Sequence, residues 1–428
     1  MDLRRQSLAE HLAEWRRLLG VNNFGWLWVG QVLSQIGDGV SKVALLYFVY
    51  DLTDSALQMS VIGILETIPP LVLGAFAGVY LDRIPKKAAM IGIDVARAVL
   101  LTIIPLLHAA GLLTLMGLYV LVFVTALFSM AFGPALSAAV PLLVRQNQLT
   151  QANAIMQSST TIGQLFGPAI CGVLIALVGA TNALYVTVAT FLVSVVTKFP
   201  LKIPHRMSSG RHHGFWHDLN IGVRFVFVDN RLLLGLMLVA SLFMLGITGF
   251  IYLLPMIGKR LLHADAVALG WLWSALSIGI LGTTVWLAWR DNPTLRERLW
   301  MIAGASMVGG LAVFGLTVSP VTVVAALLLI AIGGSSGLVT PIVSATLQEM
   351  TPKDLLARVF GVFNTGVMAF AMLGMTVFGW VADTFGPVIS LVGIGVVTLV
   401  TGVMAGLLAS WCQGSLSSAK PAAATRRA

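Results

Sequence analysis

The chain has 428 residues, of which 58% are hydrophobic and 10% are charged, whereas about 25% of residues are charged in an ordinary soluble domain. This composition excludes a soluble globular fold, because a soluble core cannot enclose so much apolar surface. The formal net charge is +9, but the basic residues are dispersed over several loops and tails, which argues against nucleic-acid binding.

Long apolar segments follow one another along the chain. About 20 apolar residues cross the ~30 Å of bilayer hydrocarbon as a helix, and continuously apolar segments favour helices over a β-barrel. We therefore expect an all-α polytopic membrane protein with twelve transmembrane helices. The predicted spans are 22–50, 55–81, 87–109, 115–143, 152–177, 180–200, 231–257, 265–289, 298–318, 320–347, 357–382 and 387–411. Apolar segments nearly fuse at Gly179 and at Ser319-Pro320, so eleven or thirteen spans are alternatives.

The basic residues of the loops indicate an orientation. If both termini are cytoplasmic, all but four of the 26 Lys and Arg residues fall in cytoplasmic loops or tails. Lys198 is counted among these cytoplasmic residues. Lys259 and Arg260 fall outside, and Lys42 and Arg97 lie within spans. Because basic residues concentrate on the cytoplasmic side of membrane proteins, we expect both termini in the cytoplasm.

The longest polar stretch between spans lies near the midpoint of the chain, where a linker between two bundles is expected. The predicted organisation is a cytoplasmic N-terminal segment at 1–21, a six-helix bundle at 22–200, a cytoplasmic linker at 201–230, a second six-helix bundle at 231–411 and a cytoplasmic tail at 412–428.

An internal repeat supports this division. When the first half is shifted by 207 residues, Pro134 falls on Pro341, and three glycines fall on three glycines. The matched glycines are Gly167, Gly172 and Gly179 with Gly374, Gly379 and Gly386. A duplicated six-helix unit is typical of one class of secondary transporters, whose two halves are related by a pseudo-two-fold axis and bind substrate near the midplane.

Three ionisable residues lie within the first two spans, where an ionisable group usually has a functional reason. Asp38 and Lys42 are four residues apart and share one helix face, so a structural ion pair between them is one interpretation. Glu66 lies at a similar depth in span 2. A carboxyl group in such surroundings can exchange a proton near neutral pH, which a proton-coupled carrier requires. Asp38, Lys42 and Glu66 are the candidate substrate- and proton-binding residues.

Asp94 and Arg97 are three residues apart in span 3, near its cytoplasmic end. Their spacing allows direct contact. Their depth suits a gate, and a purely structural pair is the alternative.

Span 5 contains Gly163, Gly167, Pro168 and Gly172. Small residues allow two helices to approach closely, and a proline bends a helix. This segment is therefore either a packing surface or a place where the helix bends.

Several classes of site have no counterpart in the sequence. There is no glycine-rich phosphate-binding loop that ends in Lys-Ser or Lys-Thr. No metal-ligand spacing and no nucleophile–base arrangement stands out. We expect no enzymatic activity, no metal and no bound cofactor.

The loop between spans 2 and 3 reads Gly78-Val-Tyr-Leu-Asp82-Arg83-Ile-Pro85-Lys86-Lys87. It resembles the signature loop of the major facilitator superfamily, although Pro85 stands where that family usually has glycine. The resemblance implies that Gly78, Asp82, Arg83, Lys86 and Lys87 form a cytoplasmic gate with Asp94 and Arg97 behind it.

Further motifs are similar to those of the bacterial drug-efflux branch, which includes the macrolide efflux permeases and the enterobactin exporter. These motifs are Asn23-Phe24, Leu27-Trp28, Gly30-Gln31, Gly37-Asp38, Asp94-x-x-Arg97, Pro134 with Pro141, and Gln151-Ala-Asn-Ala154. The span 5 segment is similar to the antiporter motif of the superfamily, with Cys171 in place of one glycine. Lys42 departs from the pattern of this branch.

The resemblance implies a monomeric exporter in the cytoplasmic membrane of a bacterium. It would exchange an amphipathic small molecule for protons, with the proton gradient as its driving force. Two alternatives are a carrier of the same fold with another task, such as lysophospholipid flipping or solute uptake, and a membrane scaffold or receptor. A Lys42 side chain in the cavity would favour an anionic substrate.

Overall fold

The computed structural model describes residues 20, 24–81, 84–201, 203, 223–290, 293–318, 321–352 and 355–418. These residues form twelve long helices and no β-strand. The helices are α1 (Phe24–Thr53), α2 (Ala56–Leu81), α3 (Lys86–Ala109), α4 (Leu115–Leu143), α5 (Leu149–Val178), α6 (Ala180–Lys198), α7 (Arg231–Met256), α8 (Ala266–Ala288), α9 (Leu295–Val318), α10 (Thr322–Met350), α11 (Leu356–Phe385) and α12 (Pro387–Ser418).

All twelve of these helices, within the described part of the chain, are long and apolar enough to cross a membrane. The prediction of twelve spans is therefore confirmed in preference to eleven or thirteen. The observed bounds lie close to the predicted ones, except that α12 continues to Ser418. Large apolar side chains such as Trp26, Leu177 and Leu327 are more than half exposed, as lipid-facing side chains are when no lipid surrounds the protein.

A single glycine separates two consecutive helices at equivalent places in the two halves of the chain. Gly179 lies between α5 and α6 with φ +85° and ψ 162°, and Gly386 lies between α11 and α12 with φ +90° and ψ 164°. Side chains disfavour this conformation, so glycine allows the chain to turn without a longer loop. The two glycines are 207 residues apart and have the same conformation, as expected for two copies of one unit.

The chain divides into two compact units. The described residues of unit 1 fall within Met1–Thr53, Ile62–Gly210 and Asp265–Ser274, and those of unit 2 within Asp54–Val61, Arg211–Ala264 and Ala275–Ala428. The first turns of α2 and α8 are thus assigned to a different unit from the rest of each helix. The boundaries predicted from the sequence remain a prediction.

In unit 1, α1 packs against α5 and α6, and α3 packs against α4 and α6. The Thr187 hydroxyl of α6 donates a hydrogen bond of 3.1 Å to the carbonyl of Gly37 in α1. The indole of Trp28 donates one of 3.0 Å to the carbonyl of Ile155 in α5. These contacts hold α1 in the middle of the unit, so its polar side chains have fixed neighbours.

In unit 2, α7 packs against α11 and α12, and α9 packs against α10 and α12. The Asp383 carboxylate near the end of α11 accepts hydrogen bonds from the backbone N–H groups of Ala56 at 2.7 Å and Leu57 at 3.0 Å. The Ser55 hydroxyl also donates to it. Because the first N–H groups of a helix lack partners within the helix, Asp383 acts as the cap of α2 from another helix.

Candidate functional site

Unit 1 contains a cavity of about 520 Å³ among α1 to α5. Its polar and charged lining includes Gln31, Gln35, Asp38, Lys42, Glu66 and Arg97. The remaining wall is largely apolar, with Leu101, Val122 and Phe132 among its side chains. A cavity that combines apolar walls with converging polar groups is a common form of small-molecule site, and polar groups are numerous in this one.

The charged residues predicted from spans 1 and 2 come together in this cavity. Asp38 and Lys42 line it from α1, and Glu66 lines it from α2. Glu66 is partly buried, in the middle part of its helix. The structure therefore places two carboxyl groups and Lys42 in one chamber, as the sequence pattern suggested.

The Asp38 carboxylate forms an ion pair with Arg97 of α3. The pair expected on the same helix, between Asp38 and Lys42, is not the one that forms, so that interpretation was wrong. Asp38 is 33% exposed and Arg97 only 8%, because the guanidinium also lies over the ring of Phe191, 4.1 Å from its centroid. Such stacking is favourable for a planar cation.

Asp94 lies one turn before Arg97 on α3, but the two side chains do not pair with each other. The Asp94 carboxylate binds the ammonium of Lys198 at the end of α6 and accepts a hydrogen bond of 2.9 Å from the Ser194 hydroxyl. Both members of the Asp94–Lys198 pair are completely buried. The predicted contact between Asp94 and Arg97 was therefore wrong, because each residue has a partner on a different helix.

Lys198 is a residue that the sequence reasoning missed, since it was assigned to a cytoplasmic loop. Its ammonium lies 2.6 Å from the Ser194 oxygen and 5.0 Å from the centroid of the Phe132 ring. Its position at the end of an apolar segment was the one available signal. A lysine there reaches either water or a buried acid, and only the packing of α6 on α3 selects the acid.

The gate loop is described only in part. Gly78 lies within the helical backbone of α2, whereas Asp82 and Arg83 lie outside the described residues. Lys86 is buried in the first turn of α3. The ammonium of Lys87 donates a hydrogen bond of 2.6 Å to the carbonyl of Phe199, just after α6. This contact joins the start of α3 to the end of α6, and the gating role of the loop remains a prediction.

The glycines of span 5 are places of close helix contact. A Cβ atom added to Gly167 would lie 2.7 Å from the Cα atom of Gly39 in α1, and one added to Gly172 would lie 2.9 Å from that of Gly270 in α8. Gly163 likewise faces the backbone of Gln35 in α1. Packing thus accounts for all three glycines. The helix is continuous past Pro168, and bending at this segment remains a prediction.

A family model described as transmembrane secretion effector matches residues 17–422, which is nearly the whole chain. The chain belongs to this family. It is therefore a major facilitator superfamily transporter and a multi-pass membrane protein, which confirms the resemblance found in its motifs.

Relatives of the chain include proteins named as efflux proteins of bacteria. Macrolide efflux protein A of Streptococcus pyogenes is 25% identical over 371 residues, covering 85% of this chain and 90% of that relative. The multidrug efflux pump Tap of Mycolicibacterium fortuitum is 25% identical over 379 residues, covering 86% and 91%.

Solved transporter structures share the fold of the chain. A bacterial homologue of the human lysosomal transporter Spinster superposes with a TM-score of 0.71 at 10% identity, covering 90% of this chain and 97% of that one. A POT family transporter in complex with 5-aminolevulinic acid also has a TM-score of 0.71, at 13% identity, covering 91% and 96%. At these identities the likeness concerns the fold.

Unit 2 contains a cavity of different character. It has a volume of about 580 Å³, lies among α8, α9 and α10, and none of the described residues that line it is ionisable. Gly279, Gly282, Gly304 and Gly334 form much of its wall. The cavity of unit 1 is lined by Asp38, Lys42, Glu66 and Arg97, so the two units differ in the charge of their cavities.

No group of three or more His, Cys, Asp or Glu side chains in the described part of the chain is arranged to hold a metal ion. The central linker also contains four histidines, which lie outside the described residues: His205, His212, His213 and His217.

Proposed function

We propose that this protein is a secondary active transporter that exports an amphipathic small molecule from a bacterial cell in exchange for protons, by alternating access. The observation that carries the proposal is the cavity of unit 1, where Asp38 and Glu66 reach a largely apolar chamber. The efflux function of relatives at about 25% identity supports the direction of transport.

The lining of the cavity suits an amphipathic substrate. The apolar wall contributes hydrophobic contact that is largely independent of the shape of the substrate. The carboxyl groups offer either a proton site or a counter-charge for a cationic substrate. A volume of about 520 Å³ falls within the range of about 300–1,000 Å³ that is common for small-molecule sites.

Asp38 and Glu66 have different surroundings, so we assign them different tasks. Asp38 is already neutralised by Arg97, and a substrate cation would have to compete with the guanidinium for it. Glu66 lines the cavity from another helix, α2. We propose that Glu66 exchanges the coupled proton and that Asp38 takes part when its pair with Arg97 opens.

The remaining expectations belong to the same proposal. The proton gradient is the driving force, and no cofactor or metal is bound. The protein acts as a monomer in the cytoplasmic membrane, with both termini in the cytoplasm and without enzymatic activity. The gate loop and the glycines of α5 serve the conformational cycle.

A second function is favoured by one observation. Lys42 also lines the cavity, and its ammonium group would attract a molecule with an anionic group, such as a lysophospholipid or an organic anion. In that case the same fold would flip lipids or take up solutes. A protein with no transport cycle, acting as a scaffold or receptor, would not need the cavity charges at all.

Transport in proteoliposomes tests these possibilities. The purified protein is reconstituted, a pH gradient is imposed, and the movement of a lipophilic cationic dye is followed in the unmodified protein and in Glu66→Gln and Asp38→Asn. The proposal requires a loss of at least about tenfold in pH-driven transport for Glu66→Gln. Unchanged transport in both variants would refute proton coupling through these carboxyl groups.

The matched control is Asp265→Asn. Asp265 accepts a hydrogen bond of 2.7 Å from the backbone N–H of Ala268 at the start of α8, outside the cavity. Asparagine caps a helix about as well as aspartate, so this acid-to-amide change should leave transport unaltered. If a lysophospholipid analogue but no cationic dye is transported, the second function is the correct one.

A further inference from the structure

Two oppositely charged residues on one helix face do not form an ion pair with each other in this structure. Asp94 and Arg97 are three residues apart on α3, and pairs with this spacing normally attract. Instead, Asp94 pairs with Lys198 of α6, and Arg97 pairs with Asp38 of α1. Each of the two residues thus has its partner on a different helix, and the ion pair between Asp94 and Arg97 does not form.

The burial of Asp94 makes a cationic partner necessary. Its side chain is completely buried, and a buried charge that loses its only partner is strongly destabilised. Two cations could serve as that partner: Lys198, which binds Asp94 from α6, and Arg97, on the next turn of α3. As long as Lys198 neutralises Asp94, Arg97 is available to the cavity.

The two side chains retain the atoms that a local pair would use. Within the described part of the chain, the Oδ1 atom of Asp94 and the Nε atom of Arg97 are both buried without a hydrogen-bond partner. One is an acceptor and the other a donor, one helical turn apart. A hydrogen bond between these two atoms would satisfy both of them, and it would withdraw Arg97 from Asp38.

We propose that Lys198 is a positioning residue for the transport cavity, because it holds Asp94 and thereby leaves Arg97 to Asp38. Asp94 and Asp38 compete for one guanidinium, and Lys198 decides the competition. The inference rests on the proposed function only in taking the cavity of Asp38 as the transport site.

The geometry around Lys198 suits this role. Its ammonium is completely buried, contacts Asp94 and Ser194, and lies over the Phe132 ring, which itself lines the cavity. It also lies in the last turn of α6, where the helix dipole favours a cation. Lys198 has no direct contact with Asp38, so any influence on the cavity has to pass through Asp94 and Arg97.

Charged side chains of three helices, α1, α2 and α3, lie near Asp38. From α3 these are Arg97 and Asp94, from α1 itself Lys42, and from α2 Glu66. The described residues of α4 and α5 that line the cavity are not ionisable. If a substitution of Lys198 changes the reactivity of Asp38 while Lys42 and Glu66 are unchanged, the effect is therefore transmitted through Asp94 and Arg97.

Chemical labelling of Asp38 tests the proposal without any transport assay. A hydrophobic carbodiimide adds to protonated carboxyl groups, and the mass increase of the peptide that contains Asp38 measures its reactivity in purified protein. We expect slow labelling in the unmodified protein, where the Asp38 carboxylate is bound to Arg97. In Lys198→Met we expect labelling at least about threefold faster, and in Lys198→Arg a rate like that of the unmodified protein.

Two double variants separate competition from mere loss of structure. In Lys198→Met with Asp94→Asn the competitor is gone, so labelling of Asp38 should return to the slow rate. In Lys198→Met with Arg97→Gln the rate should equal that of Arg97→Gln alone, because Arg97 has already been withdrawn. If the two substitutions of a double variant changed the labelling rate by the product of their separate effects, the proposal would be contradicted. Unchanged labelling of Asp38 in folded Lys198→Met would contradict it as well.

A folding check keeps the result decisive. Each variant is required to elute as a monodisperse peak, and Lys198→Gln, which retains a donor toward Asp94, replaces Lys198→Met if that variant does not. If neither is recovered, Asp94→Asn is compared with Asp94→Asn plus Lys198→Met. Equal slow labelling in these two is expected, and fast labelling only in the double variant would overturn the proposal. Because labelling needs no transport, loss of proton coupling through Asp38 would refute the proposed function and leave this inference intact.

Discussion

The Asp38 carboxylate of α1 pairs with the guanidinium of Arg97 on α3, although Lys42 lies one turn away on its own helix. The stacking of Arg97 on Phe191 and the alternative partner of Asp94 favour this arrangement. The pair joins two helices at the wall of the cavity, so it contributes both to the stability of unit 1 and to the charge of the proposed site.

Replacing Arg97 by Gln should reduce stability by about 1.5–3 kcal/mol, the usual range for a hydrogen bond to a charged group. The change leaves the half-buried Asp38 without its cation. Thermal unfolding in detergent measures the effect. Adding Asp38→Asn should recover part of the loss, since residues in contact are not additive. If the loss of stability in the double variant equalled the sum of the losses in the two single variants, Asp38 and Arg97 would not be energetically coupled.

Replacing Gly167 by Ala should destabilise the contact between α1 and α5. The new methyl group would lie 2.7 Å from the Cα atom of Gly39, and such overpacking typically costs about 1–3 kcal/mol. Gly92→Ala is the control, because a Cβ atom there meets nothing within 4 Å, and alanine is the better helix former. Equal melting temperatures for the two variants would argue against a tight contact of α1 with α5.

Replacing Gly179 or Gly386 by Ala should be costly in both cases and by similar amounts. Their φ angles of +85° and +90° are strained for alanine, at about 1–3 kcal/mol. Gly361→Ala, within α11 and with open space around it, should be neutral or slightly stabilising. Apparent melting temperatures of the three variants give the comparison. A large difference between the first two would contradict the equivalence of the two turns.

Replacing Asp383 by Ala should weaken the start of α2. The carboxylate accepts hydrogen bonds from Ala56, Leu57 and Ser55, and loss of a helix cap costs about 0.5–2 kcal/mol. Asp383→Asn keeps an acceptor oxygen, so its loss should be smaller. Hydrogen exchange of the amides of residues 56 and 57 reports the effect locally, and faster exchange is expected for Asp383→Ala. Unchanged exchange would show that the cap does not protect these groups.

Much of the fold could be predicted from the sequence. The twelve spans follow from apolar length, and the turns at Gly179 and Gly386 follow from glycines that recur at a shift of 207 residues. The motif resemblance to efflux transporters was also confirmed. Each of these features depends on residues that are close together in the chain, or on patterns that repeat.

The partners of the charged residues could not be predicted in the same way. Spacing along one helix suggested Asp38 with Lys42 and Asp94 with Arg97, and both pairs were wrong. Lys198 looked like a loop residue, although it is completely buried. Local spacing shows which contacts are possible, but it does not show which neighbouring helix presents a stronger partner.

The sequence by itself determined that this is a helical membrane transporter with a duplicated scaffold, because hydropathy and glycine spacing act locally along the chain. Only the tertiary structure decided how its buried charges are connected. Asp38 and Arg97 are 59 positions apart, and Asp94 and Lys198 are 104 apart. Their pairing depends on how α1, α3 and α6 pack, and this packing is decided by close contacts such as those of Gly30 and Gly37 with threonines of α6.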